Sequence, residues 1–288
     1  MLPANETTAI KLIPANQYTV EQLVDIYNQT RIDYMVPMPM NAARLTEYMT
    51  TYDVSLENSL VATLTNGELL GVIMLGVRKG RVWVTRLGVI PNTRRIGIGK
   101  ALFKGILDQA KKLSINFCML EVIKNNIPAH QLFLKFGFRE VGELLVLRHS
   151  PLLRKQNANI ADIQSLDREQ TLACINNHQM MHPWTNQFES FSNAHEISGF
   201  QVTLTDGSRG WMAYQRQKFL LSRFMFKTES GNPVKVAYAL LSHLHLQYPR
   251  LDTQVENIQS NDPHLPAFYE AGYIESFRRI EMWHGELE

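Results

Sequence analysis

The sequence predicts an α/β protein whose mixed, mostly antiparallel sheets are flanked by helices and built twice in tandem. Three observations carry this: a repeated hairpin, a matching order of elements in the two halves, and a length of 288 residues. That length suits two domains of roughly 140 residues better than one.

The hairpin comes first. Ala62-Thr63-Leu64-Thr65-Asn66-Gly67 returns as Val202-Thr203-Leu204-Thr205-Asp206-Gly207, an offset of 202 − 62 = 140. Asn-Gly and Asp-Gly accept the positive φ that tight hairpin turns need. Each copy is followed by a second apolar run, Leu69 to Val77 and Trp211 to Tyr214. After a basic turn (Arg78-Lys79-Gly80, or Arg216-Gln217-Lys218) comes a third, Val82 to Ile90 and Phe219 to Phe226. Each half therefore reads as a three-strand meander.

A helix follows in both halves. Ile98, Leu102, Ile106 and Ala110 form an i, i+4 row, and Val234, Ala237 and Leu241 another apolar face. A strand then spans Cys118 to Ile123, or Val255 to Ile258. The segment Asn126 to Phe138 parallels Asn261 to Tyr273, with Gly137 and Gly272 offset by 272 − 137 = 135. Such drift in offset is what shortened loops produce. The helix before each of these strands is long enough for a parallel crossover. The polar stretch Arg154-Lys155-Gln156-Asn157 marks the boundary and gives domains of 1–152 and 156–288.

Apolar residues are 45% and charged residues 19% of the chain, an ordinary globular composition. A net charge of +2 argues against a general nucleic-acid or membrane-surface binder. Two distant cysteines, Cys118 and Cys174, give neither a disulfide framework nor metal-ligand spacing. His178 and His182 stand at i, i+4 without a carboxylate or cysteine at familiar spacing, so no metal is expected. The N-terminal residues lack the pattern of a secretory signal, and no apolar run approaches the ~18 residues of a membrane span. A soluble cytoplasmic protein is expected.

Charge is nevertheless gathered. Between Arg78 and Lys112 there are ten Lys or Arg residues and one acid, Asp108. Within that stretch, Arg94-Arg95-Ile96-Gly97-Ile98-Gly99-Lys100 lies where a strand ends and a helix begins. First-turn amides have no internal partner and sit at the positive end of the helix dipole. Glycines there let a phosphate approach the backbone, although glycines at such junctions also serve close packing. The segment is neither a P-loop nor a G-x-G-x-x-G fingerprint, because Leu102 stands where the third glycine belongs.

Val89-x-Pro91-x-x-Arg94-Arg95-x-Gly97-x-Gly99-Lys100-Ala101-Leu102 resembles the acetyl-CoA signature of the GNAT N-acetyltransferase superfamily. Leu120-Glu121-Val122, followed by Asn126-x-x-Ala129-x-x-Leu132-Phe133-x-Lys135-Phe136-Gly137-Phe138, resembles its second conserved block. The likeness covers most of residues 8–150. It implies two GNAT-like domains in tandem, the first binding acetyl-CoA as acyl donor.

The resemblance also implies roles. In this family two core strands splay apart and the pantetheine arm lies in the gap. The backbone of Leu87, Gly88 and Val89 would pair with that arm and polarise the thioester carbonyl. Arg94 and Arg95 would add charge, residues 95–100 (Arg95, Ile96, Gly97, Ile98, Gly99, Lys100) would grip the pyrophosphate, and Asn126 would touch the pantetheine. The chemistry implied is direct attack on the thioester by a primary amine of a small molecule or peptide. A neutral amine needs a base, and Glu121 stands where some family members carry a catalytic glutamate. Phe133 stands where most members have a tyrosine that protonates the leaving thiolate, and phenylalanine has no transferable proton. A water, another side chain or an unassisted thiolate would then serve.

The second half departs further. Aligning Ala101 with Ala237 sets Pro233 opposite Gly97 and Lys235 opposite Gly99, with Glu229 and Ser230 where the arginines would be. Proline has no N–H to offer a phosphate. Asn261, Phe268, Gly272 and Glu256 still match Asn126, Phe133, Gly137 and Glu121 at an offset of 135, as in a degenerate GNAT-like domain. The acceptor side is expected around Arg31 to Thr50, where Asp33, Tyr34, Met35, Met38 and Met40 form either an acceptor wall or a lid on the core. Three functions stay open: an N-acetyltransferase, an acyl-CoA-binding sensor without turnover, and an acyltransferase using longer acyl groups. The acceptor and the oligomeric state are not specified by the sequence.

Overall fold

The structure, a computed structural model, describes residues 9–151, 159–178 and 181–286. Packing divides these into two compact units. The first holds the described residues of 9–121, 128–140 and 282–286, and the second those of 122–127 and 141–281.

The first unit runs β1 (Ile10–Pro14), α1 (Val20–Gln29), α2 (Ala42–Thr51), β2 (Val54–Leu64), β3 (Leu69–Arg78), β4 (Arg81–Val89), α3 (Ile98–Lys112), β5 (Phe117–Ile123) and α4 (Ile127–Lys135). Its strand order is β1-β2-β3-β4-β5. The expected meander is β2, β3 and β4, antiparallel throughout. Helix α3 carries the chain across to β5, which is parallel to β4. Helix α1 starts on a capping box in which Thr19 and Gln22 satisfy each other's amides. It lays Leu23, Val24, Ile26 and Tyr27 on Val61, Val72 and Met74 of the sheet. The predicted row Ile98, Leu102, Ile106 and Ala110 is buried along α3, together with Phe103.

Two irregularities in β4 open the sheet. Thr85 and Gly88 face Met74 and Val72, so three steps of β4 oppose two of β3, a bulge at which Arg86 takes φ 55°. The parallel pairing of β4 with β5 covers only Arg81–Trp83 against Phe117–Met119. Beyond these positions the two strands diverge.

The second unit contains β6 (Arg139–His149), β7 (Ile160–Leu166), α5 (Arg168–Asn176), α6 (Phe188–Ser192), β8 (Ser198–Leu204), β9 (Arg209–Arg216), β10 (Leu220–Ser230), α7 (Pro233–Gln247), β11 (Asp252–Gln259), α8 (Leu265–Glu270) and β12 (Ile274–His284). Its strand order is β12-β6-β11-β10-β9-β8-β7. The duplication extends to its defects. Ser222 and Met225 face Gln215 and Ala213, Arg223 takes φ 55°, and parallel pairing of β10 with β11 covers three positions. A capping box of Asp167 and Gln170 starts α5 as Thr19 and Gln22 start α1.

Packing does not follow the chain-order division at 152 and 156. That boundary, with Arg154–Asn157, lies outside the described residues. The strand before it, β6, pairs antiparallel with β11 of the second unit. Leu144 to Leu147 are fully buried, and Leu145 and Leu147 join the cluster of Phe200, Met212, Leu240 and Phe268. A run so apolar on successive residues must be covered on both faces, and the second unit covers the face that carries Leu145 and Leu147.

Candidate active site

The opened edge of β4 ends beside the start of α3. Gly97 caps that helix with φ 94°, and no side chain bonds to its first amides. Arg95, at φ 69°, also lies in the left-handed region, a backbone conformation of the kind found where successive N–H groups face an oxyanion. A Cβ built on Gly97 meets nothing within 4 Å, and one on Gly99 stands 3.7 Å from Val89 Cγ2 and 3.9 Å from Leu132 Cδ2, ordinary contacts. Close packing therefore does not require Gly99.

The arginines divide their work. Arg94 is committed to the protein: its Nη atoms donate to both Asp33 carboxylate oxygens (2.6 and 2.7 Å), and Nε donates to Val89 O at 3.1 Å. That guanidinium holds the Asp33 carboxyl below its usual range. Arg95 and Lys100 are exposed and have no ion pair among the described residues. Ile96 is exposed and Ile98 buried. The cradle's available positive charge thus comes from Arg95 and Lys100.

Leu87, Gly88 and Val89 lie past the bulge, beyond the reach of the β5 pairing. Gly88 is fixed by packing, since a Cβ there would overlap the Thr30 hydroxyl and stand 2.6 Å from Thr30 Cβ. Arg31 Nη2 donates to Leu87 O at 3.1 Å while its guanidinium lies 4.0 Å from the Tyr34 ring centroid. Asn126 closes the turn from β5 to α4, its N–H donating to Ile123 O at 2.8 Å.

Glu121 projects from β5 with Oε2 accepting the Trp83 indole N–H at 2.7 Å. Near this pair lies a residue that motif reading passed over. The Tyr48 and Thr85 hydroxyls share a 2.6 Å hydrogen bond, the Arg86 guanidinium sits 4.2 Å from the Tyr48 ring centroid, and Tyr48 packs on Tyr52 and Trp83. Burial pushes the Tyr48 phenol up to about 12, with Glu121 adding to the rise. It is therefore a phenol at neutral pH and can only give a proton, not take one. The i, i+4 spacing of Tyr48 and Tyr52 was the available signal.

Phe133 is buried, its ring 4.8 Å from Phe103 and 6.3 Å from Phe138. It packs, and brings no proton donor. In the expected acceptor segment, Asn28 brackets Met40 through both backbone groups (2.9 and 3.0 Å), Met40 packs on the core, and Met35 is half exposed. The Met40 end of the segment thus packs on the core as a lid would.

The second unit lacks the cradle. Asn232 Oδ1 accepts from Val234 N and Lys235 N, occupying the amides that α7 would offer an anion, and Pro233 offers none. Glu256 is bound to Arg279 at 2.8 Å.

Comparison with known proteins bears on the fold and its family likeness. Residues 21–138 match the Acetyltransferase (GNAT) family. The spermine/spermidine N(1)-acetyltransferase of Bacillus subtilis (strain 168) is 31% identical over 87 residues, 27% of this chain; the chain spans 57% of that protein's length. A tandem GNAT protein from the clavulanic acid biosynthesis pathway superposes with a TM-score of 0.68 at 14% identity, over 96% of this chain and 98% of its own. A GCN5-related N-acetyltransferase from Sphaerobacter thermophilus does so with 0.71 at 13% identity, over 96% and 95%. Residues 21–138 are thus similar to the Acetyltransferase (GNAT) family, and the chain as a whole has the fold of a tandem GNAT protein.

Proposed function

We propose that the protein is an acetyl-CoA-dependent N-acetyltransferase whose first unit carries the site and acts on a primary amine. The observation that carries the reading is the side-chain-free α3 start at Gly97 beside the edge of β4 that β5 leaves unpaired. Acetyl-CoA supplies the acetyl group as a thioester. On the protein's side, amides 97–100 with Arg95 and Lys100 hold the diphosphate, and the backbone at Leu87 to Val89 orients the arm. Trp83 holds Glu121 in place to take a proton from the amine, directly or through water. Tyr48 is the nearby group able to return one, which Phe133 cannot do. The second unit serves as scaffold.

Thiol release from acetyl-CoA, followed colorimetrically across a panel of amines that includes spermidine, an amino acid and a peptide N-terminus, tests the reading. Release dependent on one class of amine supports it. Uptake of acetyl-CoA without release by any amine favours a second reading, an acyl-CoA-binding sensor, which the buried Phe133 motivates. Among the described residues no helix is long and apolar enough to cross a membrane.

A further inference from the structure

A hollow of about 650 Å³ opens in the second unit where the β9–β10 turn meets the connection from α7 to β11. Arg216, Lys218 and Arg250 line it, with Tyr248 and Glu196. None of the three cations has an ion pair among the described residues. The Arg216 guanidinium lies 5.6 Å from the Tyr248 ring centroid, and the Tyr248 hydroxyl is tied to Tyr214 at 3.1 Å. An arginine held over a ring keeps its in-plane N–H donors free for an oxyanion.

The first unit shows that this charge is not an obligation of the fold. Arg78 ends β3 as Arg216 ends β9, yet Arg78 is buried and its Nε donates to Asp53 Oδ2 at 2.7 Å. There the corner is neutralised from within. In the second unit the arginine at the same place faces a hollow, and two further cations join it. Three like charges around one concavity raise its potential and draw an anion. The volume falls in the range of small-molecule sites, and three cationic donors exceed what one carboxylate engages.

We propose that this hollow binds a small phosphate ester, with its phosphoryl oxygens on Arg216, Lys218 and Arg250 and its organic part against Tyr248. The site is separate from the acyl-transfer reading and does not rest on it.

Calorimetry of the full chain with phenyl phosphate and with inorganic phosphate tests this. Both titrations use Arg95→Glu/Lys100→Glu as background, so that the α3 cradle does not contribute. The expected result is one equivalent of phenyl phosphate bound more tightly than inorganic phosphate, weakened about tenfold or more by adding Arg216→Ala/Arg250→Ala. Lys218→Glu, a single exposed change, should weaken it likewise while circular dichroism confirms the fold. No uptake in the background protein, or equal uptake in the added variants, overturns the site. Inorganic phosphate bound as tightly as the ester overturns the organic part of the proposal.

Discussion

The indole N–H of Trp83 donates to Glu121 Oε2 at 2.7 Å, joining the last paired residue of β4 to β5 just past the short stretch where those strands stay together. A carboxylate held this way has one oxygen aimed by its neighbour and a fixed rotamer. Glu121→Gln keeps an acceptor for Trp83 and removes the base. A fall in kcat of about 10²-fold or more is expected, with loss of the acidic limb of the pH–rate profile. Trp83→Phe leaves the base and frees its orientation, so the rate should fall less, with the acidic limb kept. Equal losses without any change of profile would remove Glu121 from the chemistry.

Gly97 and Gly99 should separate under substitution. Gly97→Ala places a side chain at φ 94°, which costs about 1–2 kcal/mol through backbone strain alone. Gly99→Ala meets only ordinary contacts at 3.7 and 3.9 Å and should leave the melting temperature nearly unchanged. Both should weaken coenzyme A binding, measured by calorimetry. Unaltered affinity in Gly99→Ala would mean that the diphosphate does not approach this backbone.

Local pattern made much of the fold legible. The Asn66-Gly67 and Asp206-Gly207 turns and the i, i+4 row on α3 encode their elements within a few residues, and the structure keeps all of them. What stayed hidden is long-range. Leu144 to Leu147 announce a strand buried on both faces, but not that β11 is its partner. Arg86 and Arg223 enter the left-handed region without a glycine to mark the bulge. The bond from Arg94 to Asp33 spans 61 residues, and that from Trp83 to Glu121 spans 38. The motif gave the cradle its charge, but only the fold shows that Arg94 is occupied.

Acid should weaken the second unit. Burial, with His149 adding to it, pushes His245 down to about 3, and burial takes His182 down to about 4. Both are neutral in the fold, and the unfolded chain takes up their protons first. Their stabilisation is therefore complete above pH ~6.5 and is lost as pH falls from there toward 3 to 4, by a few kcal/mol in all. Urea midpoints at pH 7.5, 5.5 and 4.5 give the slope. His245→Gln removes the titrating group while retaining a partner for the Tyr273 hydroxyl, 2.9 Å away. Its midpoint should change less with pH than that of the parent protein. An identical slope would place the acid sensitivity elsewhere.

Phe133→Tyr asks how the leaving thiolate obtains its proton. The ring packs on Phe103 and Phe138, so a hydroxyl must point out of this cluster or be buried without a partner, at a cost of about 1–3 kcal/mol. If position 133 borders the thioester, the new phenol has the proton that phenylalanine lacks, and the rate should be preserved or raised. Tyr48→Phe should then be harmful in the parent, where Tyr48 is the available phenol, and better tolerated when combined with Phe133→Tyr. A double-mutant cycle on kcat reads this compensation directly. A clear loss of rate in Phe133→Tyr with the melting temperature intact would show that this side chain does not face the leaving group.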